Sequence, residues 1–266
     1  MKTFDYHRPA DVAQAVQGLA AHPDAKLIAG GQSLLPAMKL GLAAPSDVID
    51  LGGIASLRGI RRDGDRLVIG AMTSHAEVAA SAEVRQAIPA LAALAEGIGD
   101  RQVRNRGTLG GSLANDDPAA CYPAAVLGLG ATVRTDRREI AADDFFLGMF
   151  ETALQPGEII TAVAFPVVQR AAYVKFRQPA SRFALVGVFV AQGAAGVHVA
   201  VTGAAPSVFR FTAAEQALTA KFTPEAVDGL SVSPADMSGD MHGSAEYRAH
   251  LVQVMTRRAV EAALHA

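Results

Sequence analysis

The residues best suited to chemistry lie between Val103 and Pro118, in a stretch rich in glycine and small hydrogen-bonding side chains. Gly107, Gly110 and Gly111 can adopt backbone conformations that are closed to other residues. Successive free N–H groups in such a loop would form a concave anion site. The stretch therefore favours a cradle for the phosphate or diphosphate of a nucleotide cofactor, and a glycine-rich connector is the alternative. Its small polar side chains belong to Thr108, Ser112 and Asn115.

A second glycine turn, Gly30-Gly31, follows a short apolar segment that begins at Lys26. Polar Gln32 and Ser33 come directly after it, so the two turns share one chemical character. The chain contains neither Gly-x-Gly-x-x-Gly nor Gly-x-x-x-x-Gly-Lys-Ser/Thr, and it therefore offers no support for a Rossmann or Walker-type site. Two such turns predict a ligand that is held from two sides.

The composition narrows the class of protein. Of the 266 residues, 24 are basic and 26 acidic, and half are apolar, which predicts a globular fold with a sizeable core. The net charge of −2 gives no case for a nucleic-acid or anionic-membrane partner. The single cysteine, Cys121, excludes an intrachain disulfide and a cysteine-ligated iron–sulfur or zinc site within the chain. A reducing, cytoplasmic compartment fits, and the first nine residues lack the apolar segment of a secretory signal.

One uncharged segment, from Phe183 to Phe209, is long enough to span a bilayer. Glycines and polar residues divide it into two short apolar runs, at 183–191 and 197–202, around a Gly-Ala-Ala-Gly turn. We therefore expect two buried strands rather than a transmembrane helix.

The remaining pattern predicts an α+β protein. Helical spacing covers 9–21, 84–98 with an interruption at Pro89, 119–129, 212–220 and 245–264. Strands are predicted at 47–51 and 157–165, a hairpin at Asp63-Gly64 and a loop at 143–150. The character of the chain changes near Val168, which is the predicted domain boundary.

Several polar side chains near helix starts need a role. Asp116 and Asp117 precede the 119–129 helix, whose N-terminus would favour carboxylates, so one could cap the helix while the other meets a cofactor hydroxyl. Thr73 or Ser74 is expected to cap a helix that starts within residues 73–77. His75 has no cysteine, serine or carboxylate pattern around it, and we expect it at the surface or in the cap.

Three segments, at 29–39, 69–78 and 104–118, together resemble the FAD-binding medium subunit of molybdenum hydroxylases. This family includes the medium subunit of carbon monoxide dehydrogenase and the flavin domain of xanthine dehydrogenase, and the likeness runs in register along nearly the whole chain. It implies an FAD-binding domain of the vanillyl-alcohol-oxidase (PCMH) type at 1–168, with subdomains of about 1–55 and 56–168. An α+β domain with an antiparallel sheet at 169–266, a candidate docking surface, would follow.

The resemblance also implies which residues contact FAD. Ile98 and Ile160 would pack on the cofactor, Asp117 (or Asp116) would lie near its polar chain, and Arg177 would lie beside the flavin. Its diphosphate would be held on one side by Ala29, Gly30, Gly31, Gln32, Ser33 and Leu34, and on the other by Thr108, Gly110, Gly111, Ser112 and Asn115.

Two positions depart from the family pattern. Cys121 stands where relatives usually carry an aspartate that hydrogen-bonds the cofactor, so this contact is in question and a small buried thiol is the alternative. Phe183 stands where the family has tyrosine or tryptophan after Gly-Asp. Its ring would cover the flavin without a hydroxyl group.

The implied function is electron transfer without catalytic residues in this chain, because the cofactor carries the redox chemistry. We expect no metal ligands here. Electrons would arrive from a small subunit with [2Fe–2S] clusters and a large molybdopterin subunit, and would leave to NAD, oxygen, a quinone or a carrier protein. Two alternatives remain: a cofactor-free scaffold, and a self-contained FAD oxidoreductase, for which His75 and Arg177 are the only nearby candidate groups.

Overall fold

Three larger β-sheets and one two-stranded sheet, with their helices, organise the chain in the computed structural model, which describes residues 1–265. The first sheet is parallel, with strand order β1-β3-β2, because helical crossovers connect its strands. Its core contains Ala15 and Ile49, and Asp11 caps the first helix. The elements are β1 (Asp5–His7), α1 (Val12–Ala21), β2 (Lys26–Ile28), α2 (Leu34–Lys39) and β3 (Asp47–Asp50).

The second sheet is antiparallel, and the predicted Asp63-Gly64 hairpin is confirmed between its first two strands. Pro89 begins a helix, as its fixed φ and missing N–H permit. The elements are β4 (Ile60–Asp63), β5 (Arg66–Gly70), α3 (His75–Ala80), α4 (Ala82–Ala87), α5 (Pro89–Glu96), α6 (Arg101–Arg106), α7 (Leu109–Asn115), α8 (Tyr122–Gly128), β6 (Thr132–Thr135), β7 (Glu139–Ala141), α9 (Ala142–Phe145), β8 (Phe146–Gly148), β9 (Glu151–Thr152) and β10 (Ile160–Pro166). The five-stranded sheet has the order β4-β5-β10-β6-β7, and β8 pairs with β9.

Three local expectations were wrong. The glycine-rich stretch is not an open loop, since it forms α6 and α7 with a break at Gly107. The helix predicted at 119–129 is shorter in the structure and covers only α8. Asp116 therefore does not lie directly at its start; it ends α7 in a left-handed conformation (φ 42°). Residues 143–150, expected as a loop, contribute to α9 and β8.

The third sheet is antiparallel, with the order β11-β12-β13-β14. One face of β12, carrying Val186, Val188 and Val190, packs on the C-terminal helices, while Phe189 on its other face joins the core of the second sheet. Burial on both faces explains the continuous apolar run. The elements are β11 (Arg170–Arg177), β12 (Ala184–Gly193), β13 (Gly196–Thr202), β14 (Phe209–Arg210), α10 (Thr212–Ala220) and α11 (Ala245–Leu264).

The two predicted buried strands are thus confirmed, as are the bounds of both C-terminal helices. Ser244 caps α11 by accepting a hydrogen bond from the Tyr247 N–H. Within residues 1–265, no helix combines the length and the apolar character needed to cross a bilayer.

Candidate cofactor-binding cavity

A cavity of about 670 Å³ lies where the three parts of the chain meet. The turn after β2 and the first turn of α7 form part of its wall, and the third sheet contributes Lys175 and the segment from Ser181 to Phe183. This volume is typical of a site for a cofactor-sized molecule. Most of its lining is apolar, with a small number of polar groups.

The two glycine turns touch each other. A Cβ atom added at Gly30 would lie 2.7 Å from Gly107 Cα and equally close to the carbonyl carbon of Arg106. One added at Gly111 would lie 3.2 Å from the Ala29 Cβ. Glycine is therefore needed here so that the N-terminal sheet can approach the backbone between α6 and α7.

Free backbone donors are concentrated in the first turn. Among the described residues, the N–H groups from Gly30 to Leu34 donate no hydrogen bond to another protein group. In α7, by contrast, the Gly110 N–H donates to the Ala71 carbonyl (2.8 Å) and the Gly111 N–H to Thr108 Oγ1 (3.2 Å). The free N–H donors that the sequence predicted for the 103–118 stretch are thus found in the turn after β2 instead.

Sixteen of the seventeen residues expected at the site line this cavity. They are Ala29, Gly30, Gly31, Gln32, Ser33, Leu34, Ile98, Thr108, Gly110, Gly111, Ser112, Asn115, Asp117, Cys121, Ile160 and Phe183. Arg177 does not line it, and Lys175 on the same strand does. The pairing with β12 is irregular at this point, where Phe176 pairs with Val186 and Arg177 with Ala184. The expectation for Arg177, which came from the resemblance, is therefore not matched by the lining.

Lys175 is one of three lysine and arginine side chains that line the cavity, together with Lys26 and Arg182. Its Nζ donates hydrogen bonds to the carbonyl oxygens of Gly97 (2.9 Å) and Arg182 (3.0 Å), and it lies 3.3 Å from Cys121 Sγ. The amine therefore ties β11 to the end of α5 and to the loop that carries Phe183. Cys121 is buried against this amine.

His75 is buried, contrary to the sequence expectation, and lines the cavity. Ser74 is the cap, in a reciprocal capping box with Glu77. Burial, assisted by the positive charge of Arg104, lowers the pKa of His75 to about 4, so its imidazole is neutral at neutral pH. Its Nδ1 and the hydroxyl of adjacent Tyr122 have no hydrogen-bond partner within the described residues.

Asp116 is a buried carboxyl group beside the cavity residue Asp117. Burial and the neighbouring Asp117 charge raise its pKa to about 7, and its Oδ2 has no hydrogen-bond partner in the described part of the chain. The ordinary value is 3.8, so the folded protein holds a proton there that the unfolded chain releases. Stability from this site is present below pH 3.8 and declines as the pH rises toward 7.

We expect Asp116→Asn to stabilise the protein at pH 8 and to leave its stability nearly unchanged at pH 4. Asparagine tolerates the left-handed backbone that Asp116 adopts and carries no charge to desolvate. Urea unfolding of both proteins at the two pH values measures the difference. A variant less stable than the wild type at pH 8 would contradict this assignment.

Much of the apolar lining was not predicted from the sequence. Ala71, Met72 and Val103 lie within the segments at 69–78 and 103–118 but were given no role, and Leu154 and Ile159 lie in no motif.

Comparison with known proteins finds similarity along the whole chain. Residues 2–168 match the family described as the FAD binding domain in molybdopterin dehydrogenase, and residues 171–263 match the CO dehydrogenase flavoprotein C-terminal domain. The chain is 36% identical to the carbon monoxide dehydrogenase medium chain of Hydrogenophaga pseudoflava, over 98% of this chain and 96% of that one. It is 39% identical to the nicotine 6-hydroxylase medium subunit of Paenarthrobacter nicotinovorans, over 96% and 95% of the two chains.

Solved structures are also similar along nearly the whole chain. A chain of carbon monoxide dehydrogenase from Hydrogenophaga pseudoflava superimposes with a TM-score of 0.92 at 37% identity, covering 99% of this chain and 98% of that one. A chain of quinoline 2-oxidoreductase from Pseudomonas putida 86 gives a TM-score of 0.88 at 31% identity, covering 100% and 99%.

Proposed function

We propose that this chain, which belongs to the family of FAD-binding domains of molybdopterin dehydrogenases, binds FAD in the central cavity and relays electrons within a multi-subunit dehydrogenase. The observation that carries the proposal is the run of free N–H groups from Gly30 to Leu34 at the edge of this cavity. Such a run suits a diphosphate.

The lining fits the parts of FAD. The turn after β2 would hold the diphosphate, with the hydroxyl of Ser112 and the amide of Asn115 as further polar contacts. Ile98 and Ile160 offer apolar surface to the rings. When bound, FAD supplies the redox chemistry, while the protein positions the cofactor and shields it from water.

The finer architecture follows from the same proposal. We take the first two sheets as the two subdomains of a PCMH-type FAD-binding domain, about 1–55 and 56–168, and residues 169–266 as a separate α+β domain. The two family matches meet between 168 and 171, which supports this boundary. The C-terminal domain is our candidate for subunit docking.

The partners follow from what the chain lacks. One cysteine cannot ligate an iron–sulfur cluster, so electrons must reach the FAD from another chain. We assign this role to a [2Fe–2S] subunit that receives them from a molybdopterin subunit, in a cytoplasmic heterotrimer. The external acceptor would take electrons at the exposed edge near Phe183, which is 48% exposed.

Native isolation of the chain from its own cells tests this assignment. We expect chains that contain iron and molybdenum to copurify with it, together with FAD. A chain that carries FAD but neither metal-containing partner would instead support a self-contained oxidoreductase, and a complex without FAD would support a scaffold.

We expect Lys175→Met to weaken FAD binding roughly tenfold, because it removes a charged donor from two carbonyl groups and frees the loop before Phe183. Arg177→Met on the same strand is the matched control and should change affinity less than about twofold, since Arg177 lies outside the lining. Titration of the cofactor-free protein with FAD gives both values. The reverse order of effects would show that Arg177 is the residue beside the flavin.

A further inference from the structure

A cluster of two histidines and one aspartate lies outside the cofactor cavity. His7 ends β1, His22 follows α1 and Asp47 begins β3. His7 Nε2 lies 2.6 Å from Asp47 Oδ1, and His22 Nδ1 lies 3.3 Å from the same oxygen. Among residues 1–265, this is the one group of three such side chains whose donor atoms all lie within 4.8 Å of one another.

The charges of this cluster are incomplete. The Asp47 side chain is only 7% exposed, and within the described residues its ion-pair partners are His7 and His22 alone. No lysine or arginine is among these partners, so the buried carboxylate has no permanent cation beside it. A carboxylate in such a position is costly unless a positive charge accompanies it.

We propose that His7, His22 and Asp47 form a binding site for a divalent transition-metal ion of the Zn²⁺ type. Two imidazole nitrogens and one carboxylate oxygen are a donor set for Zn²⁺ rather than for Mg²⁺ or Ca²⁺. The site would fasten the end of β1 and the end of α1 to the start of β3.

The donor atoms lie near the spacing of a metal site, since all of them are within 4.8 Å of one another. Zn²⁺ takes ligands at about 2.0–2.2 Å, so tetrahedral donors lie roughly 3.3 Å apart. The His22–Asp47 separation already has this value, and the His7–Asp47 contact must open by less than about 1 Å. The second carboxylate oxygen accepts a 2.7 Å hydrogen bond from Ser46, which orients the ligand.

Access and position also suit a metal. The His7 and His22 side chains are 42% and 41% exposed, so solvent can reach the site and supply a fourth ligand. None of the three residues lines the cofactor cavity. The site would therefore stabilise the N-terminal sheet without contacting FAD.

The test is calorimetric titration of the full-length, FAD-containing protein, purified without a histidine tag and stripped of metal, with Zn²⁺. We expect one equivalent to bind and to raise the Tm. His22→Asn should weaken Zn²⁺ binding at least about tenfold and abolish the Tm increase. FAD content should not change.

His265→Asn removes an exposed histidine far along the sequence and serves as the matched control. It should bind Zn²⁺ like the wild type. No Zn²⁺ binding, or equal affinity in the wild type, His22→Asn and His265→Asn proteins, would overturn the proposal.

Discussion

Gly30→Ala will yield a folded protein with at least about tenfold weaker affinity for FAD. The added methyl carbon would lie 2.7 Å from the Arg106 carbonyl carbon and closer still to its oxygen, where real Cβ atoms essentially never come within 3.0 Å. Backbone atoms cannot rotate away as a side chain can, so the two glycine turns must separate. Overpacking of this kind costs about 1–3 kcal/mol, equivalent to roughly a tenfold to hundredfold change.

The loss should fall on the cofactor rather than on the fold. The N-terminal sheet has its own core around Ala15 and Ile49, so it can shift without unfolding. Gly239→Ala is the matched control, because its nearest contact would be an ordinary 3.5 Å to the Ala245 nitrogen. Circular dichroism checks the fold, and flavin fluorescence titration measures affinity. Unchanged FAD affinity in Gly30→Ala would show that the contact between the turns does not shape the site.

Arg138→Met will lower the free energy of unfolding more than any neighbouring surface arginine replacement. Arg138 donates through Nε (2.9 Å) and Nη2 (3.0 Å) to the two oxygens of Glu158, a carboxylate in the cavity wall with a fully buried side chain. Without the guanidinium, this charge is buried and unpaired. The Glu158 carboxylate keeps hydrogen bonds from Thr135 Oγ1 (2.8 Å) and the Gln155 N–H (2.8 Å), and the Arg138 side chain is 40% exposed, so both moderate the loss.

The pH dependence identifies the cause. The Arg138 hydrogen bonds lower the pKa of Glu158 from 4.5 to about 2, so its stabilisation is complete above pH 4.5 and is lost as the pH falls through 2. The penalty of Arg138→Met should therefore be greatest above pH 4.5 and shrink in acid. Urea unfolding over this range measures it.

Two further variants isolate the interaction. Arg137 precedes Arg138 in sequence and is 39% exposed; its side chain makes a 3.5 Å ion pair with Asp136 and a 3.3 Å hydrogen bond to the Pro156 carbonyl, with no buried carboxylate. Arg137→Met should therefore cost less than about 1 kcal/mol. Adding Glu158→Gln to Arg138→Met should recover part of the loss, because no buried charge then remains. A double variant less stable than Arg138→Met alone would contradict the explanation.

The sequence was informative wherever local chemistry determines structure. Asp63-Gly64 can form only a few turns, and the C-terminal helices follow from their apolar spacing and from the cap at Ser244. The glycine motifs located the two turns that form part of the cavity wall. These signals are local and need no knowledge of distant contacts.

The sequence-based expectations failed where contacts between distant parts of the chain determine the local structure. Glycine disfavours helices, yet Gly110 is helical because its N–H bonds to Ala71 and its missing side chain admits that residue. The burial of His75 depends on Gly107, which packs against its ring. Lys175 rather than Arg177 lines the cavity, although the two residues lie two positions apart on the same strand, and the sequence carries no signal for that difference.

The central claim is most directly tested by the FAD content of the purified full-length chain. Absorption of the protein, followed by release and chromatographic identification of the ligand, gives the cofactor and its stoichiometry. We expect FAD at close to one equivalent per chain, either as isolated or after incubation with FAD. A colourless protein that takes up no added FAD, alone or together with its copurifying subunits, would contradict the account.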